Sequence, residues 1–264
     1  MKPDHQITFK ELNTVQPQKQ GRRFAILLCW GLSFFVFVSM LHYLSQHDSK
    51  HMIACFKVLV IFATSWLLER KLKLELPSML LISIQLFAFA AIILGELNSF
   101  YMKYPSWDVM LHTYSGFLWA AVGFMLFALL FHKSIKRGSL VSLLPMILIA
   151  FCVSMTIGGV WELYEFGMDQ VMNRDMQKDT IIHTIKSVQL DPTHALVVLN
   201  NISGVTIDGV NYIPDGYLDI GLYDTMFDLI YNLIGATVFG CLVLFDHKHL
   251  KSKIMDGFFT LTKL

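Results

Sequence analysis

LVSLLPMILIAFCVSMTIGGVWELYE, residues 140–165, decides the fold. Its first 22 residues carry no charge, and Glu162 and Glu165 then follow within four positions. An α-helix crosses the hydrocarbon core of a bilayer with about 20 largely apolar residues. A stretch of this length and character reads as a membrane span that ends in acid. Five further windows approach or reach the same length: 24–44, 52–68, 77–96, 108–131 and 224–245. The second is short. Its Lys57 lies about one turn inside, where the stem can snorkel to the near surface. The reading is an all-α polytopic membrane protein whose six transmembrane helices occupy residues 24–245.

Composition agrees. Of 264 residues, 55 % are hydrophobic and 16 % charged, against roughly 25 % charged in an average soluble domain. That excludes a disordered chain and argues against an ordinary soluble enzyme. The 21 Lys and Arg nearly balance 20 Asp and Glu, so no global basic surface points to nucleic acid. The expected partner is the lipid bilayer. Cys29, Cys55, Cys152 and Cys241 each sit in an apolar run without CxxC spacing, which suits packing residues rather than disulfides or metal ligands.

Orientation follows from where Lys and Arg fall between the spans. One side collects 15 of them, in the N-terminal arm (residues 1–23), the loops around Arg70–Lys73 and Lys133–Arg137, and the tail (residues 246–264); the other collects 6. Acids run the other way, 6 against 14. The basic side is expected to be cytoplasmic, with both termini inside, as six spans require. The first span follows a polar arm and is too long for a signal-peptide core, so it reads as an uncleaved anchor. Trp66, Trp107 and Trp161 fall near predicted boundaries, as interfacial aromatics do; Trp119 falls mid-span.

The loops are short except residues 166–223, between spans five and six, which the topology puts outside. Asp179–Val188 could form a short helix. Val205–Ile213 reads as a hairpin turning on Asp208-Gly209 with type I′ geometry. The segment is long enough to act as a lid over a site, and a solvated connector is the alternative.

The informative residues flank that loop and the preceding span. Span four begins Trp107-Asp108-x-x-x-His112, span five ends Trp161-Glu162-x-x-Glu165, and span six begins Asp224-x-x-x-Asp228-x-x-x-Asn232. Residues three or four apart share a helix face. Since span five runs opposite to four and six, the deeper members His112, Glu162 and Asp228 are expected at one depth. Each stripe continues in small or polar residues: Ser115, Gly116 and Gly123; Gly158; Asn232, Gly235 and Ala236-x-x-x-Gly240. Small faces let membrane helices approach closely, so the stripes are expected to face one another.

Charge at membrane depth is expensive and needs compensation. Three readings are open. The carboxyls tie helices together by hydrogen bonds. Or they form a metal or acid–base site: carboxylates with one His suit a divalent metal ion, and crowded carboxylates hold protons as a general acid must. Or they serve ion- or proton-coupled transport, against which the inner halves of the spans are almost free of ionisable groups. Under the catalytic reading Glu162 and Asp228 bind metal or act as base, His112 is a ligand or proton donor, and Asp108, Glu165 and Asp224 orient them. Glu96 and Lys57 are on the same side, as a surface acid and a snorkelling cation or counter-charge.

The combination Trp107-Asp108-x-x-x-His112-x-x-x-Gly116, Trp161-Glu162-x-x-Glu165-Phe166 and Asp224-Thr225-x-x-Asp228-x-x-x-Asn232-x-x-Gly235 resembles the YjdF-like family of bacterial inner-membrane proteins and, more distantly, VanZ-like proteins. The resemblance covers residues 78–245. It implies a multi-pass protein of the bacterial plasma membrane and brings no reaction. A polar site at the outer leaflet suits an amphiphilic substrate, such as a lipid headgroup or a lipid-linked envelope intermediate.

Overall fold

The computed structural model describes residues 19–131, 140–213, 215–247 and 262–263. Most of the N-terminal arm, the basic loop 132–139 and most of the tail lie outside the described residues. The six spans are α1 (Lys19–Ser45), α2 (Ser49–Leu72), α3 (Ser78–Ala88, continued as a π-helix over Phe89–Leu97), α5 (Ser106–Leu130), α6 (Leu140–Met172) and α7 (Leu222–Phe245). A four-residue helix, α4 (Phe100–Lys103), links α3 to α5. All six are long and apolar enough to cross a membrane.

Two windows need correction. The second span is not short: α2 has 24 residues, and Lys57 lies eight residues from its start, about 12 Å along the axis rather than one turn. In the last turn the Arg70 guanidinium lies 3.8 Å over the Trp66 ring. The fifth span does not stop at Glu165. Phe166 to Met172 continue the helix until Asn173, whose φ of 50° provides the left-handed residue on which helices end. The connecting segment therefore runs from 173 to 221.

The chain divides into two compact units, residues 1–155 with 231–264, and residues 156–230. The first has two three-helix cores. Val36 of α1, Cys55, Val58 and Phe62 of α2, and Ala88 and Ile93 of α3 form one. Ala120, Ala121 and Phe124 of α5, Leu143, Met146 and Ala150 of α6, and Ala236, Phe239 and Val243 of α7 form the other. Leu80 of α3 packs on Leu118 and Met125 of α5 between them. The opposite faces stay apolar: α1 exposes Phe24, Leu27, Trp30 and Phe34, as a helix does when its solvent is lipid.

The expected small faces are where α5 and α7 touch backbone to backbone. A Cβ on Gly116 would stand 2.1 Å from the Asn232 carbonyl oxygen, and one on Gly235 would stand 1.9 Å from the Thr113 carbonyl oxygen. At the other end, Arg22 of α1 meets Glu69 of α2 with Nη2 2.7 and 2.8 Å from the two carboxylate oxygens. Arg22 Nη1 also donates to the Leu76 carbonyl (3.0 Å), and the Leu76 amide donates to Glu69 Oε1 (2.8 Å). This clamp presents β1 (Leu74–Glu75), which pairs antiparallel with β8 (Thr262–Lys263).

The second unit carries the connecting segment, built of short antiparallel pairs: β2 (Thr180–Ile182) with β7 (Tyr217–Asp219), β3 (Ile185–Ser187) with β4 (Val197–Leu199), and β5 (Val205–Ile207) with β6 (Val210–Ile213). An α-helix over Asp179–Val188 is absent there. Thr180, Ile181, Ile182 and Ile185 are β-branched and suit a pleated surface, and partners lie within reach. The β5–β6 hairpin forms as read: Ile207 faces Val210, and Asp208 (φ 51°) and Gly209 (φ 79°) both take the left-handed conformation of a type I′ turn.

Candidate functional site

Within the second unit, α6 brings Glu162 and Glu165 to the first turns of α7. One carboxylate oxygen from each of Glu162, Glu165 and Asp228 lies within 4.8 Å of the others. All three residues are buried, at 5 %, 7 % and 4 % exposure. The expected i,i+3 pairing of the glutamates thus turns both toward Asp228. Glu165 is held further by Trp161, whose indole Nε1 donates to Oε1 at 2.9 Å. The sequence reading put Trp161 at an interface; its spacing of four from Glu165 was the available signal for this bond.

Asp224 has a different engagement. Its Oδ2 accepts the Lys178 amide at 2.9 Å, while Gln177 bonds the hydroxyl of Thr225. On α6, Asp169 accepts the amides of Met176 and Gln177 at 2.7 and 2.9 Å. The connecting segment is thereby pinned to both helices next to the carboxylates. Asp169 is one of those pins, and as a lone acid near a helix end it carries no signal in the sequence. Nearby, burial pushes the Asp179 carboxyl above its ordinary range, helped by the like charges of Asp175, Asp219 and Asp169.

In the first unit, Asp108 and His112 share one face of α5, as their spacing requires. His112 Nε2 is 3.6 Å from Asp108 Oδ1, an ion-pair distance and longer than a hydrogen bond. One turn further along the stripes is a neutral joint. Asn232 Nδ2 donates to the Ser154 carbonyl (3.2 Å), Ser154 Oγ donates to the Gly116 carbonyl (2.8 Å), and Ser115 Oγ reaches Asn232 Oδ1 (3.5 Å). Ser154 and Asn232 are 0 % and 1 % exposed. Ser154 was not singled out from the sequence, where one Ser in an apolar run is unremarkable. Glu96 is exposed, in keeping with a surface acid.

Six apolar helices and buried polar joints define a multi-pass α-helical membrane protein. The chain belongs to a family described as predicted membrane proteins (DUF2238), whose model matches residues 26–249. The YjdF-like resemblance falls in this family. No curated protein and no solved structure matches the chain.

Proposed function

We propose that the protein is an envelope enzyme of the bacterial plasma membrane, acting on a lipid or lipid-linked substrate at a carboxylate-bound divalent cation. The convergence of Glu162, Glu165 and Asp228 carries this reading. Oxygen ligands stand about 2.0–2.6 Å from Mg or Ca, so two on opposite sides of such an ion are about 4–5 Å apart. The 4.8 Å grouping is of that size. Three buried carboxylates this close repel one another unless a cation or protons neutralise them. The helix-tie alternative is disfavoured because α5, α6 and α7 are already joined by Asn232, Ser154 and Gly116. Against transport, the inner halves of the spans carry few ionisable groups beyond the paired Arg22 and Glu69 and the terminal Asp246.

Glu162, Glu165 and Asp228 are the proposed ligands or base. His112, with Asp108 behind it, enters from its depth in the sequence alone, as ligand or proton donor, and Asp224 secures the segment beside the carboxylates. The basic bias of 15 to 6 supports cytoplasmic termini and, with them, a site at the outer leaflet. Reporter fusions at Arg137 and the C-terminus are expected to read cytoplasm, and one within residues 190–210 to read outside. A cytoplasmic reading from the last overturns the orientation.

The cation is tested by melting detergent-purified protein in chelator and with Mg, Mn, Ca and Zn in turn. One of them is expected to stabilise the wild type by about 2.7 kcal/mol at a hundredfold excess over Kd. Glu162→Gln and Asp228→Asn lose that gain, His112→Ala measures the part of His112, and Glu96→Gln keeps the gain in full. A wild type indifferent to all four ions removes the metal and leaves metal-free acid–base chemistry or the helix tie.

A further inference from the structure

α2 carries two lysines on its lipid-facing side. At 100° per residue, Lys50, Ile53, Phe56, Lys57 and Val60 fall within an arc of about 120°. All five are exposed. The buried residues Ala54, Cys55, Val58 and Phe62 lie on the opposite side. Neither lysine ammonium meets a hydrogen-bond or ion-pair partner among the described residues. Asp48, the nearest acid in sequence, falls about 160° round the helix from Lys50. Its carboxylate is engaged with the helix's own first turn, accepting the His51 amide at 3.1 Å and lying 2.6 Å from His51 Nδ1.

An ammonium in hydrocarbon costs several kcal/mol unless it reaches the interface or an anion. Side chains of a helix lean toward its N-terminus, so the stem of Lys57 leads up toward Lys50, whose Cα is about 10.5 Å away along the axis. The two charges close on one level at the rim of the span. The amino end of a 24-residue helix adds its own positive potential there. Below them, Ile53, Phe56 and Val60 continue the same face as an apolar strip. This is a cationic rim above an apolar wall, the complement of an amphiphile with a negative head. A second copy of the chain fits the face poorly. Among the described span residues the one exposed acid is Glu96, next to last in its span and too near the boundary to meet Lys57.

We propose that this face of α2 binds an anionic phospholipid, its phosphate between Lys50 and Lys57 and its acyl chains along Ile53, Phe56 and Val60.

The test is lipid retention by native mass spectrometry, after reconstitution in an equimolar mixture of phosphatidylglycerol and phosphatidylcholine. The wild type is expected to retain phosphatidylglycerol preferentially. Lys50→Gln and Lys57→Gln each lower the preference about fivefold, the scale of one lysine at an anionic surface. Lys57→Arg preserves it, and excess inorganic phosphate does not compete. Equal retention of the two lipids by the wild type overturns the proposal, as does a preference that survives the Lys50→Gln/Lys57→Gln double variant. Displacement of the lipid by inorganic phosphate reassigns the site to free phosphate. Copy-to-copy crosslinking of Lys57→Cys, with the four native cysteines replaced, assigns the face to a second copy instead.

Discussion

The Arg22–Glu69 clamp, half-buried at its arginine, and the buried Glu162–Glu165–Asp228 group are both built of ionisable side chains, and they bring together different signs. In the clamp, the chain supplies the neutralising charge itself. Arg22 Nη2 reaches both oxygens of Glu69, while the Leu76 backbone accepts from Arg22 Nη1 and donates to Glu69 Oε1. In the other group the three residues brought together are all acids. Carboxylates gathered this closely repel one another when ionised, whereas an arginine and a glutamate attract.

The largest expected effect breaks the clamp. Arg22→Gln leaves Glu69 buried without its guanidinium and should lower stability by about 3–5 kcal/mol, read by thermal melting in detergent, with most of the loss recovered in Arg22→Met/Glu69→Met. If Arg22→Gln melts like the wild type, the contrast between the two regions fails. Next, the acid group should respond with the reverse logic. In chelator, Asp228→Asn removes a like charge at nearly constant shape, and stability should move by no more than about 1 kcal/mol, the scale of one membrane hydrogen bond. A loss as large as that of Arg22→Gln would make Asp228 a structural tie too.

The neutral joint sharpens the same contrast. Asn232→Ala removes the amide bonded to Ser154 and should cost about 0.6 kcal/mol and at most about 1.7, the average and the largest value for polar contacts between membrane helices. That cost should be the same in chelator and in cation, because no charge is involved. The smallest effect lies in the connecting segment. The Asp179 carboxyl is held above its ordinary value, so its ionisation disfavours the folded segment as pH rises from the unfolded value through the folded one. Asp179→Asn should slow amide exchange across 176–221 at pH 7 and make little difference below about pH 3, where both side chains are neutral. An unchanged exchange pattern at pH 7 would deny the crowding of Asp169, Asp175, Asp179 and Asp219.

Much of this architecture is legible along the chain. Six spans follow from transfer energy summed over windows of about 20 residues. The shared faces of Asp108 with His112, and of Glu162 with Glu165, follow from helix periodicity. The Asp208-Gly209 hairpin follows from two residues that tolerate positive φ, and Gly116 and Gly235 announce a close crossing before any partner is known. These are local properties, settled within one or two turns of chain. What the tertiary structure alone decided depends on helix crossings and on partners far away in sequence. It turned Glu165 toward Asp228 and committed Asp224 to the Lys178 amide. It joined Arg22 to Glu69 across 47 positions, and it made strands of Thr180–Ile182 by giving them Tyr217–Asp219 to pair with. Periodicity names the residues that share a face; only the packed helices determine what that face meets.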